Sequence, residues 1–452
     1  MVADTVAEHV GGEGLSTRRE RVGWYFYDFA NSGFTTTVVT VFLGPYLASV
    51  AEHAADRQGL VHPLGIPIAA GSLFAYMVSL SVLLQVFVLP TVGAIADRSS
   101  HKRELLALFA YIGAAATIGM VFLTGGRYVL GAVLFLVANI AFGASVVVYN
   151  SFLPQLAGPD DRDRVSSIGW AVGYVGGGLL LLLNVVAVQV GSAGGLDKGT
   201  IARWSIVSAG VWWAAFTTLP LTRLRNRPAT AGEARGPVLT DGFKQLWHTL
   251  RELRGYRLSL LFLVTYLIYN DGIQTVISLA SVYADKELGL DQSVQVTTIL
   301  LVQVMAFLGA LALGWLARAI GAWKTVLASL VVWTAALAIA YFLPAHKPLA
   351  FVNLGLLIGV VLGGSQALSR SLFSQLIPRG REAEYFGIYE ISDKGTSWLG
   401  PLLFGLAFQV TGSYRMAIIS LLVFFVAGFV MLLLVPMRRA ITAAGNTPPH
   451  KL

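Results

Sequence analysis

The sequence predicts an all-α membrane protein of twelve transmembrane helices, arranged as two pseudo-symmetric six-helix bundles. Composition is the first observation: of 452 residues, 56% are hydrophobic and only 12% charged, against about 25% charged in soluble domains. The second is a series of twelve apolar segments, each near the roughly 20 residues that cross a bilayer. The third is an internal repeat, in which short motifs recur half a chain apart and in the same order.

The same bulk properties narrow the function classes. The net charge of +8 is no nucleic-acid signature, because the basic residues fall in short loops on one side of the predicted spans. Cysteine is absent, which excludes disulfides, thiol nucleophiles and thiolate metal sites. No cofactor or metal is expected. The first 20 residues are polar and Gly-rich, and the first apolar run is too long and aromatic for a signal peptide.

The spans are expected at about 22–51, 71–96, 104–124, 128–156, 164–191, 203–222, 257–285, 292–317, 323–343, 348–377, 383–411 and 414–437. With the N-terminus placed inside, 23 Lys and Arg residues fall on the cytoplasmic side and 7 on the other, leaving Arg370 and Lys394 within spans. That asymmetry predicts cytoplasmic termini. Five regions follow: a cytoplasmic tail over 1–21, a bundle over 22–222, a linker over 223–256, a second bundle over 257–437 and a tail over 438–452. Phe243, Leu246, Trp247, Leu250 and Leu253 recur at helical spacing in the linker and predict an interfacial amphipathic helix.

Span one carries the first chemistry. From Val22 to Ala51 its only charge is Asp28, and Trp24, Asp28, Asn31 and Thr35 share one face of a regular helix. Asp28 lies about 10 Å beyond Arg21 at about 1.5 Å per residue. A carboxylate at that depth is costly and is a functional candidate by default.

The repeat is visible in Ser151-Phe-Leu-Pro-Gln-Leu156 and Ser371-Leu-Phe-Ser-Gln-Leu376, offset by 220, and in Gly93-Ala-Ile-Ala96 and Gly314-Trp-Leu-Ala317, offset by 221. Tyr27-Asp28 corresponds more loosely to Tyr269-Asn270-Asp271. Parallel six-helix repeats are the plan of major facilitator transporters, whose solute site lies between the halves.

The loop Gly93-Ala-Ile-Ala-Asp-Arg-Ser-Ser-His-Lys-Arg103 resembles the signature loop of the major facilitator superfamily. Asp97, with Arg98 and Arg103, is expected to form a cytoplasmic latch that accepts a helix N-terminus or an Arg of the other half. The second copy has Arg318 where an Asp would sit, so the latch is asymmetric. Tyr27-Asp-Phe-Ala-Asn-Ser32, Tyr149-Asn-Ser-Phe-Leu-Pro154, Gly169-Trp-Ala-Val-Gly-Tyr-Val-Gly-Gly-Gly178, Tyr269-Asn-Asp-Gly-Ile-Gln-Thr275, Ser365-Gln-Ala-Leu-Ser-Arg-Ser371 and Glu384-Tyr-Phe-Gly-Ile-Tyr-Glu390 narrow the resemblance. As a set they resemble the branch related to the fungal autophagy-linked vacuolar amino-acid effluxers, which has many bacterial members.

That resemblance implies that spans one, four, seven and ten line a central cavity. The intramembrane polar residues fall on those spans: Asp28, Asn31, Asn150, Asn270, Asp271, Gln274, Gln366 and Arg370. A zwitterionic amino acid suits such a lining, with Arg370 facing a carboxylate and Asp28 or Asp271 an ammonium. The alternative is that Arg370 pairs permanently with Glu390 or Asp393. Glu390, Asp393, Lys394 and Ser397 share one face of span eleven. With Arg370 they are expected to form a network inside the C-terminal half, either structural and gating or relaying protons. The glycines from Gly169 to Gly178 predict close helix packing.

The expected function is secondary transport of a small polar solute by alternating access, with amino-acid efflux leading and proton coupling an option. A sugar or other small metabolite, or a transport-inactive sensor of the same fold, are the alternatives. The chain is expected to act as a monomer in the cell (inner) membrane, in contact with lipid and without nucleic acid. A nucleotide-binding loop is absent. A membrane-embedded enzyme is disfavoured, because Asp160-Asp-Arg-Asp163 reads as a single solvated loop cluster lacking a second Asp-rich partner.

Overall fold

The computed structural model describes residues 17–70, 73–228, 256–290, 292–394, 399–411 and 413–452. The first bundle comprises α1 (Arg18–Ala54), α2 (Leu73–Arg98), α3 (Lys102–Phe122), α4 (Tyr128–Asn150), α5 (Arg162–Ala193) and α6 (Lys198–Arg223). The second comprises α7 (Arg257–Lys286), α8 (Gln292–Ile320), α9 (Ala322–Tyr341), α10 (Pro348–Gln375), α11 in two pieces (Glu382–Lys394 and Leu399–Thr411) and α12 (Tyr414–Leu434). A short α13 (Met437–Ala443) follows, and a ribbon of two-residue strands, β1 (Leu60–Val61) and β2 (Ile68–Ala69), sits between α1 and α2.

Ten of these helices are long and apolar enough to cross a membrane. Among the described residues, α6, rich in Trp, Ser and Thr, and the divided α11 fall short of that measure. The helix ends match the expected spans within a few residues. The amphipathic stretch expected at Phe243–Leu253 lies outside the described residues. So do Ser397 and the side chains of Glu390, Asp393 and Lys394.

Local chemistry explains where helices begin. Thr17 and Glu20 cap α1 reciprocally: the Glu20 backbone N–H donates to Thr17 Oγ1 (3.3 Å) and the Thr17 N–H to Glu20 Oε2 (3.0 Å). Asp197 caps α6 through Thr200 N–H (2.8 Å), and Pro348 opens α10 where its missing donor costs nothing. Within α1 the backbone widens into a π-helical stretch at Phe34–Phe42. The regular register that put Thr35 on the Asp28 face therefore ends at Gly33, and Thr35 Oγ1 donates to Ser32 O instead (3.1 Å).

Each bundle has its own core. One gathers Trp24, Phe34, Phe135, Tyr149 and Trp213; the other gathers Phe262, Tyr269, Trp333, Phe373 and Phe425. The helix pairings repeat: α2 and α3 pack on α4 as α8 and α9 pack on α10, while α1 and α3 pack on α6 as α7 and α9 pack on α12. Between bundles, α2 meets α11 and α5 meets α8, again a symmetric exchange. Close approach needs glycine at particular points. A Cβ on Gly176 of α5 would fall 2.3 Å from the Phe29 carbonyl oxygen of α1.

Candidate functional site

The site is built where α1, α4, α5 and α10 converge. The last four turns of α10, from Val361 to Gln375, are buried on every face, so a cation there must find all its partners in protein. Arg370, 3% exposed, finds them in the opposite half. Its Nε donates to Ser166 Oγ (2.9 Å) and its Nη2 to the Ser166 carbonyl (2.9 Å), both on α5. Its Nη1 lies 3.4 Å from Asp28 Oδ2 on α1 and 3.4 Å from Asn150 Oδ1 on α4.

Aromatic faces enclose the guanidinium. Its carbon lies 5.0 Å from the Trp24 ring centroid, 5.5 Å from that of Trp170 and 5.8 Å from that of Tyr149. Trp24 stacks on Tyr149 (4.4 Å between centroids) and donates from Nε1 to the Tyr149 carbonyl (3.0 Å). The Tyr149 hydroxyl donates to Asp28 Oδ2 (2.7 Å), so the carboxylate receives a neutral donor from its own half and a cation from the other. Gly169 makes room for this cluster: a Cβ there would sit 2.7 Å from the Trp24 ring and 3.0 Å from Asp28 Oδ2.

This geometry gives Arg370 partners across the halves, whereas the other members of the expected C-terminal network, Glu390, Asp393 and Lys394, have side chains outside the described residues. Each of its three guanidinium nitrogens is bonded to the N-terminal half. The alternative pairing with Glu390 or Asp393 falls on side chains outside the described residues.

A second tier lies one turn closer to the termini end, and it overturns the reading of Asp160–Asp163 as a solvated cluster. Asp160 and Asp161 are exposed, but Arg162 and Asp163 are buried between the halves. Asp163 Oδ1 accepts from the Ser371 hydroxyl (2.5 Å), and Arg162 Nη1 donates to the Ser374 carbonyl (2.9 Å). Ser166 Oγ also donates to the Ala367 carbonyl (2.7 Å).

A third tier closes that end. Asp97 is 4% exposed, and its Oδ1 accepts from the backbone N–H of Ala383 (3.0 Å), in the first turn of α11. Lys102 Nζ, also buried, supports the same oxygen (3.2 Å). The helix N-terminus expected as a partner of Asp97 is present, and Lys102 is a supporting cation. Arg103 pairs with Glu104 of its own half (2.8 Å).

The remaining candidates occupy α7 and α10. Asn270 and Asp271 are buried, Gln274 is half-buried, and Gln366 is buried one turn before Arg370; Asn31 is buried on α1. The Tyr269 hydroxyl pairs with Ser369 Oγ (2.5 Å), tying α7 to α10. Among the described residues, the Gly400 backbone N–H is the donor that faces the Asp271 carboxylate, whose oxygens meet no partner at regular hydrogen-bond geometry. Thr275, one turn on, donates to the Asp271 carbonyl (2.7 Å) and packs on Gly400 at the start of the second α11 piece.

Sequence reading missed Tyr149, Ser166, Trp170, Arg162, Asp163 and Lys102 as members of the site. Two of them had a signal: Tyr149 adjoins Asn150, and Ser166 lies on the face of α5 that carries Gly169 and Gly173.

Known proteins of the same shape place this arrangement. The family described as "Vacuole effluxer Atg22 like" matches residues 16–445. The chain belongs to that family. Atg22-like relatives include an uncharacterized MFS-type transporter of Bacillus subtilis, YxiO, 29% identical over 93% of this chain and 95% of the relative. Another is autophagy-related protein 22 of Yarrowia lipolytica, 30% identical over 83% of this chain and 77% of the relative. The fold is shared with the E. coli fucose:proton symporter FucP (TM-score 0.68, 12% identity, 92% of this chain and 97% of that one). It is shared also with the human organic anion transporter MFSD10 (TM-score 0.67, 15% identity, 92% and 99%). This Atg22-like chain is thus a membrane protein of the major facilitator superfamily, a transporter by family.

Proposed function

We propose that this protein moves an amino acid across the cell membrane by alternating access, with its termini in the cytoplasm and export as its direction. The observation that carries the reading is the Arg370–Asp28 contact (3.4 Å), a cation and a carboxylate contributed by opposite halves. A zwitterion offers the complementary pair of charges. Its carboxylate substitutes for Asp28 at the guanidinium, and its ammonium substitutes for Arg370 at the carboxylate. Exchanging one internal ion pair for two solute pairs loosens the contact between halves without stranding a buried charge. The aromatic wall of Trp24, Tyr149 and Trp170 supplies apolar and cation–π surface around the solute. Asp97, with Lys102, acts as the latch. Asp271, a buried carboxylate with no cation against it among the described residues, is the proton-coupling candidate.

Support for the orientation comes from the excess of Lys and Arg in the loops on the termini side. Support for the solute class comes from the two opposite charges and from the effluxer description of the family. The test is uptake and counterflow of a labelled amino-acid panel in proteoliposomes, with and without a pH gradient, in wild type, Asp28→Asn, Asp271→Asn and Arg370→Lys. Flux of at least one amino acid, abolished in Asp28→Asn and Arg370→Lys, is the expected result. Loss of gradient dependence alone in Asp271→Asn would assign the coupling. Absence of flux for every amino acid in folded protein, with sugars transported instead, would overturn the solute class. Tight binding without flux would identify a sensor.

A further inference from the structure

Away from the interface between halves, the termini end of the second bundle carries a basic pocket of about 920 Å³, walled by α8, α9, α12, α13 and the tail. Its charged side chains are of one sign, Lys324, Arg438, Arg439 and Lys451, with no acidic side chain in the described lining and the Leu452 carboxyl group, set against Gly321, as the negative group. Two of these cations have their positions fixed by backbone oxygens rather than by carboxylates. Arg438 Nη2 donates to the His450 carbonyl (3.2 Å), and Lys451 Nζ donates to the Ala319 carbonyl (3.2 Å). Lys324 and Arg439 are exposed and have no partner among the described residues. The pocket therefore carries more positive charge than the single carboxyl group in its lining offsets.

Its other wall, with Ile320, Leu433 and Val435, is apolar. Leu433 and the adjoining Leu434 are 48% and 69% exposed, and the chain passes from them to Arg438 and Arg439 within five residues. Trp323 stands at the same level, its Nε1 donating to the Leu432 carbonyl (3.0 Å). Cations set directly against an exposed apolar band and a tryptophan mark the height where hydrocarbon gives way to headgroups. A free anion has no use for that apolar flank, whereas a phospholipid presents a phosphate and acyl chains in this order.

We infer that this pocket binds the headgroup of an anionic phospholipid, with the phosphate among Lys324, Arg438 and Arg439 and the acyl chains along Leu433 and Leu434. The site lies on the tail segment that also reaches the first bundle, where His450 N–H donates to Asp160 Oδ1 (2.9 Å). A bound lipid thereby fixes a segment that spans both halves on the closed side.

The test is native mass spectrometry and thermal melting of the full-length protein titrated with phosphatidylglycerol, phosphatidylcholine or inorganic phosphate. The comparison variants are Lys324→Gln/Arg438→Gln/Arg439→Gln and a control triple at the same end, Arg18→Gln/Arg19→Gln/Arg225→Gln. Each cation near a membrane surface contributes roughly fivefold in anionic-lipid affinity, so the pocket triple should bind phosphatidylglycerol about a hundredfold more weakly. The control triple should stay within about twofold of wild type if the pocket, not bulk charge, is responsible. Phosphatidylglycerol should raise the melting temperature of wild type and of the control, but not of the pocket triple. Equal affinity for phosphatidylcholine, equal loss in the control, or unchanged binding in the pocket triple would overturn the inference. Stabilisation by inorganic phosphate alone, to the extent given by phosphatidylglycerol, would overturn the lipid as its source.

Discussion

The two halves share a scaffold and differ in the sign of the charges they present to each other. At the positions offset by 220, the first half has Asn150 and the second Arg370; at those offset by 221, the first has Asp97 and the second Arg318. Asn150 accepts from Arg370 itself, so the two equivalent residues meet across the pseudo-symmetry axis. Asp97 is buried against the start of α11, while Arg318 is exposed, one turn beyond Gly314, which packs on Ser167 of α5. A carboxylate is stabilised at a helix N-terminus and a cation is repelled there, so the duplicated geometry can hold a latch on one side only. On the other side Arg162 and Asp163 reach across to α10 with their own side chains. Duplication fixes where contacts form; the residue at each copy decides which contacts hold.

Making the halves alike should break this division of labour. Arg370→Asn, which gives both halves the same residue, leaves Asp28 buried without its cation and should cost about 3–5 kcal/mol. Thermal melting reads the loss, and Asp28→Asn in the same chain should recover much of it. Asp97→Asn removes one charge-assisted bond to α11 and the Lys102 pair, worth about 1.5–3 kcal/mol. Spin labels on α2 and α11 should then report a wider distance distribution at the termini end. Gly176→Ala forces α1 from α5 and should cost about 1–3 kcal/mol, read by the same melting assay. Ser371→Ala removes the donor to Asp163 and should cost about 1 kcal/mol. The mirror change Arg318→Gln should remain within about 0.5 kcal/mol of wild type. An effect there as large as that of Asp97→Asn would show that the second loop is a latch after all.

Much of this was legible in the chain itself. Apolar runs and loop charges located the helices, since burial in lipid leaves a strong periodic signal. The offset of 220 places Asn150 and Arg370 at equivalent depths in the two halves. The contact between Asp28 and Arg370 was not legible, because 342 positions separate them and either residue had other partners within reach. Asp163 was misread for a local reason: its neighbours Asp160, Asp161 and Arg164 are solvated, and only Ser371 of α10 reveals that it is not. Trp170 carried no mark at all. One indole on an apolar helix looks like packing until a guanidinium is found 5.5 Å from its face.

A carrier must reset without cargo as well as turn over with it, and the Arg370–Asp28 contact bears on the empty step. With no solute bound, Asp28 and Arg370 answer each other across the halves, so neither is a lone ion that would hold the protein at one face of the membrane. A guanidinium facing the cavity alone would tie every return stroke to a second anion and make the protein an obligate exchanger. Because Arg370 carries its own counter-charge in Asp28, its return needs no bound anion.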